Sequence, residues 1–247
     1  MHVIIATPTT NGIVAAPFVS SVVVAGLTIT ARGGTYSYYS VDGADVVMAR
    51  NMIANNFLAN TKATHLLCLD SDMRIDQNVF QTLFSSGHPF IGTGYPERRL
   101  DLEAYGEARS KGFGHKPALA EALKYNIRLT PGSHTITGNI CKAERFGFGC
   151  VLIERRVLEA MIAEKIVTRY ANKKAQAQAG PDRVLYDFFS EIPLDEGDRL
   201  SEDYSFCYRA SQLRDIDTMA YVGEGIMHVG NFAFGGAYID QLKKFQT

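Results

Sequence analysis

The sequence predicts an α/β protein with a mixed, mainly parallel sheet flanked by helices. Three observations predict it. From His2 to Gly94, short β-rich apolar runs alternate with stretches of helical spacing, the pattern of strands joined by crossover helices. The runs end on turn residues such as Pro8 and Asp70-Ser71-Asp72. With 247 residues, 46% of them hydrophobic and 21% charged, the chain is long enough to bury a full core as one domain.

His2 to Thr7 reads as the first strand, stopped by Pro8. Pro17 to Ala25 is expected as the first helix and Leu27 to Ala31 as the second strand, ended by Gly33-Gly34. Asp45 has the chemistry of an N-cap, and Val47, Met48, Met52, Phe57 and Leu58 follow it at helical spacing to about Asn60. His65 to Leu69 is a third strand, Asn78 to Phe84 a helix and Phe90 to Gly94 a fourth strand. Pro96 to Arg145 is polar, charged and Gly-containing, the composition of lids and acceptor loops. Order returns with a strand at Gly149 to Ile153 and an amphipathic helix at Arg156 to Glu164. Ala171 to Gly180 is expected as a loop, Glu202 to Leu213 as a helix after Ser201, and Thr218 to Val222 as a late strand. A single domain over 1–247 is the expectation, in two halves, 1–94 with the regular strand–helix pattern and 95–247 where it loosens and returns.

A net charge of −1 gives no reason to expect nucleic acid or an anionic membrane as partner. Cys68, Cys141, Cys150 and Cys207 are far apart and form no C-x-x-C pair, which suits buried free thiols in a reducing compartment. Ile13 to Ala31 is mostly apolar, but Pro17, Ser20, Ser21, Gly26 and Thr28 interrupt it, so a buried element is expected rather than a spanning helix. No signal peptide is evident, and the cytoplasm is the default expectation.

Asp70 and Asp72 are the most informative residues. A strand ending in D-x-D places both carboxylates on one side of an extended backbone. It does so at a strand's carboxyl end, where open α/β sheets bind ligands. Paired carboxylates favour a hard divalent cation, which would bridge to phosphate oxygens. The alternative is a turn with an N-cap. Asp215-Ile216-Asp217 matches the same pattern without an apolar strand before it and reads as a solvated turn.

With these residues in place, the chain resembles the nucleotide-diphosphosugar glycosyltransferases of the GT-A fold, of the inverting, non-processive type. His2 to Thr9 is similar to their opening strand, which contacts the donor's base, and Ala49-Arg50-Asn51 to a segment whose Arg lies near the nucleotide. His65 to Asp72 is similar to their apolar strand with D-x-D, and Gly149 to Arg156 to a later strand and helix start. Ser201-Glu202-Asp203-Tyr204, with Arg209 beyond, resembles their E-D motif, and His228-Val229-Gly230 a late H-x-G.

The resemblance implies a metal-dependent transfer of a sugar from a nucleoside-diphosphate donor, UDP favoured over GDP, to a hydroxyl acceptor with inversion. It implies donor contacts from Thr7, Pro8, Thr9, Arg50, Asp70 and Ser71, and a metal held by Asp70, Asp72 and His228. Mn²⁺ is expected over Mg²⁺ because of the imidazole. Asp203 would be the base, with Glu202 as substitute.

Each has a plainer reading: Asp203 as a helix-dipole partner, His228 as a hydrogen-bonded core residue, Arg50 as a surface charge or a salt bridge to Asp70 or Asp72. His115 and His134 are acceptor-side candidates or simply exposed. Tyr36-Ser37-Tyr38-Tyr39 is a stacking platform or sheet packing, and Phe232 with Phe234 a flap. The Q-x-x-R-W motif of processive members is missing and the chain has no Trp, which disfavours a polymer-extending synthase.

Three other readings stay open. A nucleotidyltransferase would want a basic, Gly-rich loop after the first strand, and Thr9 to Ala15 has no Lys or Arg. A metal-dependent phosphohydrolase would use Asp70 as nucleophile. A non-catalytic nucleotide-sugar binder would keep the donor site without turnover.

Overall fold

A computed structural model describes residues 1–43, 45–132, 135–230 and 232–242. The chain opens with β1 (His2–Thr9), α1 (Ala16–Ala31), β2 (Thr35–Asp42), α2 (Val46–Ala59) and β3 (His65–Leu69). Next come β4 (Met73–Ile75), α3 (Gln77–Ser85), β5 (Phe90–Thr93), β6 (Pro96–Leu100), α4 (Leu102–Ser110) and α5 (His115–Ala122). Then follow β7 (Leu123–Tyr125), β8 (Ile127–Leu129), β9 (Ile140–Phe146), β10 (Cys150–Glu154), α6 (Arg155–Ala163) and α7 (Lys173–Ala179). The last elements are β11 (Ile192–Pro193), β12 (Arg199–Leu200), α8 (Glu202–Ala210), β13 (Met219–Tyr221), β14 (Ile226–Val229), β15 (Ala233–Gly235) and α9 (Tyr238–Leu242).

The central sheet has eight strands in the order β2-β1-β3-β10-β5-β13-β9-β8. It is mixed: β10 and β9 run against the other six. Side chains alternate between its faces. Ile4 and Ala6 of β1 join Ile53 and Phe57 of α2, Leu158 of α6 and Phe206 of α8 on one side. Val3 and Ile5 join Phe18 and Ile29 of α1 and Phe80 of α3 on the other. All four cysteines are buried and unpaired. No helix among the described residues is long and apolar enough to cross a membrane.

Three expectations are corrected. Leu27 to Ala31 is the end of one helix, not a strand. Thr28 and Thr30 donate to the carbonyls of Val24 and Gly26, and Ala25 and Ile29 are buried against the sheet, so packing overrides the β-branched composition. The second strand is instead the tyrosine-rich β2. Ala171 to Gly180 contains α7, whose N-cap Asn172 accepts from the Ala175 amide. Pro96 to Arg145 is not a loose loop: β6 pairs with β7, β8 with β9, and α4 and α5 lie between them.

Candidate functional site

β1, β2 and β3 are parallel, and their carboxyl ends open on a cleft of about 450 Å³. Pro8, Thr9, Gly43, Val46, Arg50, Asp70, Ser71 and Asp72 are among its walls. Its position is the one that strand direction dictates for ligands in open α/β sheets. Asp42, at the end of β2, shapes the rim by accepting from the Thr9 hydroxyl (3.2 Å) and the Gly12 amide (2.9 Å). Nothing in the sequence pattern singled out Asp42. Thr7 is not a wall: it is wholly buried beneath the cleft, and its hydroxyl has no hydrogen bond.

The D-x-D segment is a turn rather than extended strand. β3 ends at Leu69, and the Met73 amide donates to the Asp70 carbonyl across 3.1 Å. Strand alternation therefore does not place the two carboxylates, and they take different partners. Asp70 meets Arg50, with Nη2 at 3.2 Å from Oδ1 and 3.3 Å from Oδ2. Asp72 Oδ2 meets His228 Nε2 and Arg98 Nη1, both at 3.2 Å. In the second copy, Asp215 closes a turn, Ile216 is buried in the core rather than solvated, and Asp217 is paired to Lys142.

Arg50 is no surface charge. It is 4% exposed, lies over the Phe148 ring at 5.3 Å, and gathers three carboxylates: Asp70, Asp203 (3.2 Å from Nε) and Glu202 (3.5 Å from Nε). Burial alone would lower its pKa, but the three carboxylates outweigh that and raise it. The ion pairs are close but poorly aligned: Arg50 Nε and Nη1, Asp70 Oδ1 and Asp203 Oδ1 are buried without a hydrogen bond.

Asp203 sits in the first turn of α8, where its Oδ2 accepts from the Phe148 amide at 3.0 Å. Burial pushes its carboxyl up to about 7, with Arg50 opposing and Glu202 and Asp70 adding to the rise. Burial likewise raises Asp70 against the pull of Arg50. Asp72 moves the other way: burial opposes it, but His228 and Arg98 hold the carboxyl below its usual range.

His228 is delivered across 156 residues of chain. β14 pairs with β4, the strand that follows the D-x-D turn, and the Val229 amide donates to the Asp72 carbonyl at 2.8 Å. His228 Nδ1 is 3.1 Å from the Pro96 carbonyl and Nε2 3.2 Å from the Asp72 carboxylate, so both ring nitrogens face acceptors and the single proton of a neutral imidazole serves only one of them. A proton on Nε2 satisfies the carboxylate directly; with the proton on Nδ1 instead, Nε2 offers a lone pair that a cation beside the carboxylate would take. Ligands ~2.1 Å from an octahedral ion on adjacent corners stand ~3.0 Å apart, close to the 3.2 Å seen here. The pair fits a divalent cation with its other positions left to phosphate oxygens and water. Among the described residues no group of three or more His, Cys, Asp and Glu forms a closed metal cage, so Asp70, Asp72 and His228 do not converge as one set.

Other candidates lie elsewhere. His115 is bonded to the Tyr105 hydroxyl at 2.8 Å, and His134 lies outside the described residues. Tyr39 donates to the Ile53 carbonyl, so it packs the sheet, while Tyr36 and Tyr38 are partly exposed on edge strand β2. Phe232 is exposed and Phe234 lies in β15.

No family model matches the chain, and no curated protein does. Among solved structures it is similar to the protein A197 from STIV, at 15% identity and a TM-score of 0.47, over 93% of this chain and 86% of that one. It is also similar to a glycosyltransferase involved in the glycosylation of the major capsid of PBCV-1, at 10% identity and a TM-score of 0.33, over 66% of this chain and 64% of that one. Neither likeness carries a functional argument by itself.

Proposed function

We propose that the protein is a metal-dependent glycosyltransferase that moves a sugar from a nucleoside-diphosphate donor, UDP favoured over GDP, to a hydroxyl acceptor with inversion. The observation that supports this reading is that two side-chain clusters reach one cleft wall through Arg50, Asp70 and Asp72. Asp72 with His228 forms a cation-suited pair, and Arg50 ties the D-x-D turn to Asp203 at the start of α8. Asp72 and His228 would hold a divalent cation, Mn²⁺ over Mg²⁺, while Asp70 stays with Arg50. When bound, that ion offsets the charge that builds on the departing diphosphate.

The chain's own residues do the rest. Pro8, Thr9, Ser71 and the N-terminal turn of α2 surround the nucleotide and phosphates. Asp203 takes the proton of the acceptor hydroxyl as that oxygen attacks the anomeric carbon. The bond from that carbon to the diphosphate oxygen breaks, and its electron pair leaves with the diphosphate. A carboxyl near neutrality is suited to this exchange. Glu202, on the same guanidinium, is the substitute base.

Release of nucleoside diphosphate from UDP-sugars in the presence of Mn²⁺, compared between the wild type and Asp203→Asn, tests the reading. Turnover by the wild type and a loss of about 10²-fold or more in the variant are expected. Binding without turnover in both would instead indicate a non-catalytic binder, and hydrolysis of phosphomonoesters a phosphohydrolase.

A further inference from the structure

Asp72 Oδ2 has two cationic or potentially cationic neighbours at the same distance, His228 Nε2 and Arg98 Nη1, each 3.2 Å away. His228 Nε2 is the hydrogen-bond neighbour of this oxygen, and Arg98 stands beside it as an ion-pair partner without a hydrogen bond. Pro96 and Arg98 are two apart on β6, so one short strand supplies both the carbonyl beside the imidazole and the guanidinium that meets the carboxylate. Gly230 leaves room for it: a Cβ there would stand 2.9 Å from Arg98 Cδ. Arg98 is also about half exposed, at 52%, unlike the buried Arg50. β6 is held by its pairs, Pro96 with Tyr125 and Leu100 with Leu123, on either side of Arg98.

We propose that Arg98 is a two-position latch, resting on the glycosyltransferase reading above. Without a cation it neutralises Asp72. A divalent ion taken by Asp72 and His228 removes that partner and repels the guanidinium. Arg98 then turns to the donor's diphosphate, whose paired oxygens match its planar fork. The latch makes cation and donor binding interdependent. The cation alone must displace Arg98, and the donor alone finds Arg98 engaged. Each therefore strengthens the other by the same factor.

The test measures Mn²⁺ binding, by the electron paramagnetic resonance signal of the free ion, without and with UDP. It also measures UDP binding at saturating Mn²⁺. The proteins are the wild type, Arg98→Gln, Asp72→Ala and, as a charge-matched control, the adjacent exposed Arg99→Gln. Arg98→Gln should bind Mn²⁺ alone about two- to fivefold more tightly, the worth of an exposed ion pair. It should bind UDP about tenfold more weakly, having lost a charge-assisted contact. Arg99→Gln should change neither.

Opposite signs in one variant separate a latch from damage to the fold, which would weaken both. If Arg98→Gln leaves Mn²⁺ affinity unchanged or lowers it, or leaves UDP affinity unchanged, the latch is wrong. If the wild type binds Mn²⁺ through Asp72 all the same, the glycosyltransferase reading survives that failure. If neither the wild type nor Asp72→Ala binds Mn²⁺, both fall together.

Discussion

At the scale of single residues, Arg50 and Asp203 define how the site is charged. Arg50 is buried among three carboxylates, so removing it leaves acids with no counter-ion. Arg50→Met should lower unfolding free energy by about 3–5 kcal/mol in urea titration, the usual result of breaking a buried ion cluster. Asp203 makes a pH prediction. A base must be ionised to accept a proton, and burial raises this one to about 7. Rate at subsaturating donor should therefore fall as pH drops below about 7, approaching tenfold per pH unit. Stability runs in the opposite sense. The folded carboxyl binds its proton more tightly than the unfolded one, whose pKa is ~3.9, so stability attributable to it is lost as pH rises from about 4 to about 7. Asp203→Asn should flatten that part of the stability profile while abolishing turnover. A rate profile flat from pH 5.5 to 8 would remove Asp203 from the role of base.

Legibility differed from residue to residue for physical reasons. Asp70 and Asp72 stood out because an apolar run ends on them. Arg98 did not, because an exposed Arg in a charged stretch looks like any solvated side chain. Its partnership with Asp72 exists only once β6 has been folded beside the D-x-D turn. Thr7 was expected at the ligand because the opening strand ends near it. Its depth in the sheet buries it instead, and Thr9, two residues on along the same face at the strand's end, reaches the cleft wall.

At the scale of elements, apolar periodicity made helices readable more than caps did: α2 has both, whereas α7, capped by Asn172, carries no apolar stripe. Asp45 caps α2 through the Met48 amide at 3.1 Å, and its sequence signature places the helix start within a residue. Asp45→Ala should cost about 1 kcal/mol of stability and, because that helix end opens on the cleft, should also weaken donor binding. Helix α1 shows the reverse case, since its apolar, β-branched end reads as a strand until its buried face is known. Close approaches between elements are equally silent. A Cβ at Gly92 of β5 would stand 2.3 Å from the Phe146 ring, which is fully buried against Phe90. Gly92→Ala should therefore destabilise by about 1–3 kcal/mol in thermal or chemical unfolding. A neutral result would show that the ring can move aside.

At the scale of the whole molecule, local pattern predicts an α/β sheet flanked by helices but not the order of its strands. β10 inserts between β3 and β5, and β9 and β8 complete the far edge, pairings that join residues far apart in the chain. The site depends on the same long-range assembly. Arg50, Asp70 and Asp72 come from the first 94 residues, whereas Glu202, Asp203 and His228 come from the remainder. Only the folded chain, with β14 laid against β4, sets Glu202 and Asp203 behind Arg50 and His228 behind Asp72 at the cleft wall.

The central claim is that this cleft binds a nucleoside diphosphate together with a divalent cation. The most direct measurement is the melting temperature with UDP, GDP, CDP or ADP, each with Mn²⁺ and with chelator, for the wild type and Asp72→Ala. A ligand at 100 times its dissociation constant stabilises the fold by about 2.7 kcal/mol, a readily visible shift. A shift with UDP that requires Mn²⁺ and disappears in Asp72→Ala is the predicted result. No shift with any diphosphate, or a shift that survives both chelator and Asp72→Ala, would contradict the account.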